Sequence, residues 1–290
     1  MSNRRQFVRS GVALAAAVGF APRLRTLAQS DAATPAGATP VVPTDISTLP
    51  LKKAGQLTIH ADKPAYPPFF IDDDPSNGKG FESALAYAVG ERLGFTRDQI
   101  VWGYTSFNAS YAPGPKDFDF YITQVSITEE RKRAVDFSDP YYTSPLVVVT
   151  KQDSPVLEAT TLAELAKFSY GAQVGTLYYT AITDYIKPEK ETLVFDTTAD
   201  SLTALVNGQI DAVVQDLESA TYITSEQFEG LAIAGQLPEN PGQGTGMVFE
   251  KGSALVPYVN SALASVIADG TRDKLVEEWL AKPADLIVYS

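Results

Sequence analysis

Ser126-Ile-Thr-Glu-Glu-Arg131-Lys-Arg-Ala-Val-Asp136-Phe-Ser-Asp-Pro140-Tyr-Tyr142 sets one arginine inside a short helix, directly after a hydroxyl-bearing turn. Thr128 is a good N-cap, and Glu129 and Glu130 suit the positive end of a helix dipole. Arg131 falls in that first turn, where a cation is electrostatically misplaced. Two readings fit. Either Arg131 is a surface residue paired with a glutamate, or an anion arrives there. In the second case the turn N–H groups, the Ser126 hydroxyl and a guanidinium fork would together grip one carboxylate. Asp136-Phe-Ser-Asp-Pro140 keeps the helix short.

Strands and helices alternate on both sides of this run. Upstream, Gln56–Ala61 reads as a strand, Ala65–Ile71 as an aromatic turn broken by Pro67 and Pro68, and Phe81–Leu93 as a helix closed by Gly94. Ile100–Tyr104 and Asp119–Val125 are further strands, and Leu146–Thr150 is a buried one. The pattern then restarts: helix Leu162–Lys167, strand Tyr170–Val174, helix Leu177–Ile186, strand Leu193–Phe195, helix Ser201–Val206 and strand Ile210–Gln215. Gly242–Phe249 and the amphipathic Leu255–Ala268 follow, with a shorter helix to Trp279. Such alternation predicts parallel βαβ units and an α/β class, and the restart predicts a second domain. In open α/β sheets ligands bind beyond the carboxyl ends of strands. Three such loops carry chemistry: Ser126–Arg131, Gly175–Tyr178 and Gln215–Glu218.

The first fifty residues are of another kind. Arg4-Arg5 precede Phe7 and a short Ala-rich apolar run, with small residues near Ala28. This predicts a twin-arginine signal peptide over residues 1–28. Residues 29–50 are rich in Ala, Thr and Pro and predict a flexible leader, with the fold starting near Leu51. The signal region holds five arginines and no acid, so the 23 basic residues fall to 18 against 35 acidic ones, a net of −17. That charge repels nucleic acid and anionic lipid. There is no cysteine, so the fold is expected to be held by its core alone and the exported chain to carry no lipid anchor.

Eight stretches now bear on identity: Ala65-Tyr-Pro-Pro-Phe69, Gly80-Phe-Glu82, Ser126–Arg131, Asp136–Tyr142, Gln173-Val-Gly-Thr176, Gly208–Asp216, Gly244-Thr-Gly-Met247 and Ala268-Asp-Gly-Thr271. In this order the chain resembles the extracytoplasmic solute-binding proteins of polar amino-acid ABC importers, over roughly residues 55–282. The resemblance implies a type II periplasmic-binding-protein fold with two α/β lobes, two hinge-crossing strands and the ligand in the interlobe cleft. It places lobe 1 at 51–149 and 244–290, and lobe 2 at 150–243. It matches Arg131 to the arginine that forks onto the ligand α-carboxylate and Asp216 to the acid that takes the α-ammonium. Ser126, Thr176 and the Leu177 N–H are donors to the carboxylate, and Tyr66 lies over the ligand with Phe107 facing it. Gln124 stands where small or hydroxyl residues are common and is a candidate for the carboxylate or the ligand side chain. The chain departs from the family at Asn108–Lys116, where Pro113 and Pro115 forbid a regular helix beside the expected side-chain pocket. An ammonium on one lobe's acid and a carboxylate on the other lobe's base would couple closure to binding.

Other signals fail. Asp72-Asp-Asp74 lacks a closing acid for a calcium loop, and Asp211 suits a structural pair. His60 is the only histidine; it lies in a strand with no cysteine or second histidine to share a zinc, and a triad would need this one base, which is expected to turn into or across the sheet. Trp102 and Trp279 read as packing residues. The expectation is a monomeric periplasmic or secreted receptor, without cofactor or metal, that delivers an α-amino acid to a membrane permease. The rivals are a cyclohexadienyl or arogenate dehydratase on the same fold, for which Glu82, Glu129 and Glu218 offer acids without evident partners, and a ligand sensor.

Overall fold

The computed structural model describes residues 45–280 and 286–290. The expected signal peptide and residues 29–44 of the expected leader lie outside the described residues. The leader's last residues are structured, contrary to expectation. The Asp45 carboxylate accepts from the Ser47 N–H (2.8 Å) and starts a short turn over Ile46–Thr48. Leu49 is buried in the core beside it, so two apolar side chains anchor the chain before Leu51.

Along the chain run β1 (Leu57–Ala61), α1 (Phe81–Arg92), β2 (Ile100–Tyr104), the single turn α2 (Phe107–Ser110), β3 (Phe120–Tyr121), α3 (Arg131–Ala134) and β4 (Val135–Phe137). Then come β5 (Leu146–Lys151), α4 (Leu162–Leu165), β6 (Tyr170–Gln173), α5 (Leu177–Ala181), β7 (Leu193–Phe195), α6 (Thr198–Val206), β8 (Ala212–Asp216), α7 (Leu217–Tyr222) and β9 (Leu231–Gln236). The described chain continues with β10 (Val248–Glu250), α8 (Val256–Ala268) and α9 (Thr271–Trp279).

These strands form two five-stranded sheets of the same plan, ordered β2-β1-β3-β10-β4 and β7-β6-β8-β5-β9. In each, the first three strands are parallel and the fourth is an antiparallel insert. The restart read in the sequence is therefore a structural repeat. The two inserts are reciprocal, since β5 follows the crossing out of the first lobe and β10 follows the crossing back.

That reciprocity corrects two lobe boundaries. Residues 146–149 were expected in lobe 1, but the whole of β5 pairs with β8 and β9 in the second sheet. It is buried on both faces: Leu146 and Val148 enter one core cluster, Val147 and Val149 the other. A strand buried on both faces reads as a continuous apolar run, which carries no information about which sheet it joins. Residues 286–290 were also expected in lobe 1. Instead Val288 bridges to Gln236, and the Tyr289 N–H donates to the Gln236 carbonyl (3.0 Å), so the tail covers the edge of β9. The two crossing segments, 138–145 and 237–247, pair with each other. The Thr245 N–H donates to the Tyr142 carbonyl (2.8 Å) and the Tyr141 N–H to the Thr245 carbonyl (3.0 Å).

The start of α1 shows why Gly80-Phe81-Glu82 reads as it does. The Phe81 and Glu82 N–H groups donate to the carbonyls of Pro68 and Phe69, so the aromatic turn satisfies the orphan donors of the helix. This close approach leaves no room for a side chain at Gly80, where φ is +93° and a Cβ would stand 2.5 Å from the Phe69 oxygen. Gly80→Ala is expected to cost on the order of 3 kcal/mol, because backbone must move at a strained φ. The check is a melting temperature lower by roughly 6–12 °C. Phe81 is fully buried in the first-lobe core, and Glu82 turns toward the hinge.

Candidate functional site

Arg131 begins α3 as expected. Its backbone N–H donates to the Thr128 hydroxyl (3.1 Å), and the Lys132 N–H to the Thr128 carbonyl (3.0 Å), so Thr128 caps the turn. The side chain is not on the surface. It is 7% exposed and has no carboxylate within ion-pair distance among the described residues. The neighbouring Glu129 instead pairs with Lys132 (2.9 Å). Arg131 Nη1 donates to the Ser126 carbonyl (2.7 Å), and Nη2 reaches across the cleft to the Gly175 carbonyl (2.8 Å). The rings of Tyr111 and Phe107 flank the guanidinium at 4.3 and 5.5 Å. Burial pulls the guanidinium pKa down, while the Tyr111 and Glu130 oxygens favour the charged form.

The second lobe brings its own set to the same place. Gly175 opens the loop into α5, with Thr176 buried behind it. The Thr176 hydroxyl donates back to the Gln173 carbonyl (2.8 Å), so that proton is already engaged, and the side chain does not cap α5. The Leu177 N–H lies in the first turn of α5, and Leu177 packs toward Gly242 of the crossing segment. One residue on, the Tyr178 hydroxyl donates to Asp216 Oδ2 (2.7 Å). Asp216 ends β8 and caps α7, with Oδ1 accepting from the Ser219 N–H (2.8 Å). Arg131 thus touches the loop whose helix holds Asp216. Asp211, as expected, is a structural acid that accepts from the Ser169 N–H and hydroxyl.

Two sequence expectations, Gln124 and the facing of Phe107, are placed differently. Gln124, in the left-handed region at φ 39°, points its amide at Glu82: its backbone N–H donates to Glu82 Oε1 (2.7 Å) and its Nε2 to Oε2. That amide therefore serves a protein carboxylate. Phe107 does not face Tyr66; it packs edge-on against Tyr111 at 5.4 Å, beside Arg131. Tyr66 is 41% exposed. Partial burial raises its pKa, with Asp62, Asp73 and Asp200 adding, the last from α6 of the other lobe.

Glu82 and Glu218, read in the sequence only as acids without evident partners, flank the hinge and find their partners there. Glu82 is fully buried and accepts from the Tyr141 hydroxyl as well as from Gln124. Glu218, on α7, accepts from the Tyr142 hydroxyl (2.6 Å) and from Ser144. Two consecutive hinge tyrosines therefore hold one acid in each lobe. Burial pushes the Glu82 carboxyl up to about 7, against the pull of its donors and with the Asp216 charge adding. Burial and Asp216 push Glu218 in the same direction. The Tyr-Tyr pair was visible in the sequence, but partners 59 and 76 residues away were not.

Two α/β lobes, a paired hinge and an intervening cleft with a buried arginine and a buried aspartate define a class: a two-lobed binding protein with its site between the lobes. The chain belongs to the bacterial extracellular solute-binding proteins of family 3, whose profile matches residues 57–282. It is 28% identical to the arginine-binding periplasmic protein of Mannheimia haemolytica over 225 residues, 75% of this chain and 89% of that one. It is 28% identical to the L-cystine-binding protein TcyJ of Escherichia coli (strain K12) over 232 residues, 79% of this chain and 84% of that one. The crystal structure of the ancestral amino acid-binding protein AncCDT-1, a precursor of cyclohexadienyl dehydratase, aligns with a TM-score of 0.65 at 28% identity, covering 78% of this chain and 96% of that one.

Proposed function

We propose that this chain captures an α-amino acid in its cleft and hands it, chemically unchanged, to the membrane permease of an ABC importer. The observation that carries this reading is the buried Arg131, whose charge meets no carboxylate among the described residues. Only two of its five N–H groups are spent, on the Ser126 and Gly175 carbonyls, which leaves a fork for a ligand carboxylate. The Ser126 hydroxyl and the Leu177 N–H add donors, and Thr176 can join by releasing Gln173. Asp216, prepositioned by Ser219 and Tyr178, takes the α-ammonium on its remaining lone pairs. Tyr66 covers the ligand at the cleft mouth, and Phe107 lines the wall behind Arg131. Similarity to arginine- and cystine-binding relatives supports an amino acid as the solute. The chain works as a monomer, exported by the twin-arginine route and free of a lipid anchor.

A dehydratase reading would need an acid that reaches the leaving hydroxyl. Glu82 and Glu218 have raised pKa values, but they are 0% and 2% exposed and tied to the hinge tyrosines, which favours binding over catalysis.

A thermal-shift screen against the twenty amino acids tests the proposal, with prephenate and arogenate as enzyme controls. The expected result is a rise in melting temperature with one amino acid or a related group of them, and no turnover of the controls. Asp216→Asn keeps an oxygen for the α7 cap and a partner for Tyr178 but removes the charge. It is expected to weaken the best ligand by roughly 100-fold, the loss of one or two charge-assisted bonds. An unchanged dissociation constant in calorimetry would remove Asp216 from the site.

A further inference from the structure

The Asn108–Lys116 loop, where the chain departs from its family, is ordered by its own contacts. Lys116 Nζ donates to the carbonyls of Ala109 (2.9 Å) and Ala112 (2.6 Å), and the Lys116 N–H donates to Glu250 (2.8 Å). Phe107 and Tyr111 pack against a separate apolar cluster of Phe118, Tyr121, Val125, Val135 and Val248. The loop therefore aims Tyr111 from a fixed base. Its ring lies 4.3 Å from the Arg131 guanidinium, and its hydroxyl is 3.2 Å from the Gly175 carbonyl and 2.5 Å from Asn108 Oδ1. The Tyr111 hydroxyl proton is shared: it is donated to Asn108 Oδ1 and, at longer range, to the Gly175 carbonyl. The Gly175 carbonyl, on the second lobe, thus meets two first-lobe donors, Arg131 and Tyr111. Gly175 has φ +73°, and a Cβ there would stand 2.6 Å from the Tyr111 hydroxyl, so only glycine admits the contact.

We propose that Tyr111 is a positioning residue that locks Arg131 flat beneath its ring and clasps the two lobes through the Gly175 carbonyl. The clasp consists of protein atoms alone, so it biases the lobes toward closure before any solute binds and presets the guanidinium fork. A solute then finds a partly closed cleft, and its escape requires the clasp to open. This goes beyond the assignment of the ligand, because it concerns the closure equilibrium of the protein by itself.

The chain has no cysteine, so spin labels can be placed at Glu91→Cys and Lys190→Cys, exposed positions on the first and second lobes. Interlobe distances are measured by electron–electron resonance without any amino acid added. In the parent protein a short-distance population is expected. Tyr111→Ala is expected to lower the closed-to-open ratio roughly tenfold, the scale of one cation–π contact with one hydrogen bond. Tyr111→Phe keeps the ring, removes the hydroxyl and is expected to fall between them; it also serves if the alanine variant folds poorly. A general loss of packing would lower the melting temperature without this graded shift. Identical distance distributions in the parent and Tyr111→Phe, with Tyr111→Ala also unchanged or unfolded, overturn the proposal. The experiment uses no ligand, so it stands or falls separately from the amino-acid assignment.

Discussion

Arg131→Ala is expected to lower affinity for the best amino acid at least 100-fold, while Arg131→Lys loses less. Charge-assisted hydrogen bonds are worth about 1.5–3 kcal/mol each, and the fork supplies two. Their loss corresponds to a factor of roughly 100 to 10,000 in the dissociation constant. Lysine keeps the charge but is a point donor, so it cannot hold both carboxylate oxygens in one plane. It also lacks the flat face that Tyr111 covers. The cost to folding is smaller, because the Ser126 and Gly175 carbonyls that Arg131 serves border the cleft, where water can replace it. Isothermal calorimetry, with circular dichroism to establish that the variant is folded, separates the two effects. An alanine variant that is folded and still binds within tenfold of the parent would place the carboxylate elsewhere.

What the sequence made legible was local. The Thr128 cap, the short α3, the helix of α1 closed by Gly94 and the end of β8 at Asp216 all follow from propensity, turn chemistry and period. Arg131 was recognisable because a cation in a first helical turn conflicts with the dipole, and such conflicts mark sites. Tertiary partners were not legible. Nothing local sends β5 to the second sheet or brings residues 286–290 back to β9. Nor does any local feature turn the Gln124 amide inward to Glu82. The Asn108–Lys116 loop was visible as a departure, since its prolines exclude any helix beyond the single turn α2. That it carries Tyr111 onto Arg131 depends on Lys116 and Glu250, which meet only in the folded lobe.

The hinge glutamates give the second large effect, a stability that falls as pH rises through neutrality and is flattened by Glu82→Gln. Glu82 has a carboxyl raised by burial from its ordinary 4.5 to about 7. The folded protein therefore holds this proton more tightly than the unfolded chain does. The resulting stabilisation is fully present below about 4.5 and is lost as pH rises through about 7. For Glu82 the difference is on the order of 3 kcal/mol between pH 4.5 and pH 8. Glu218 acts with the same sign, and Asp216 links the two because its charge disfavours ionisation of both. Glutamine at position 82 never ionises, and the Gln124 amide can turn to offer its oxygen to the new NH2 group while Tyr141 keeps an acceptor. The variant should match the parent near pH 5 and melt roughly 6–12 °C higher than the parent at pH 8. Melting curves of both proteins across this range decide it, since surface ion pairs affect the two alike. Parallel curves would mean that Glu82 is ionised in the fold throughout, with Tyr141 and Gln124 compensating its burial. Divergence would mean that the hinge tyrosine holds a protonated acid over part of the physiological range. Tyr141 and Tyr142 are adjacent on the segment that joins the lobes, so each ionisation adds charge at the pivot itself.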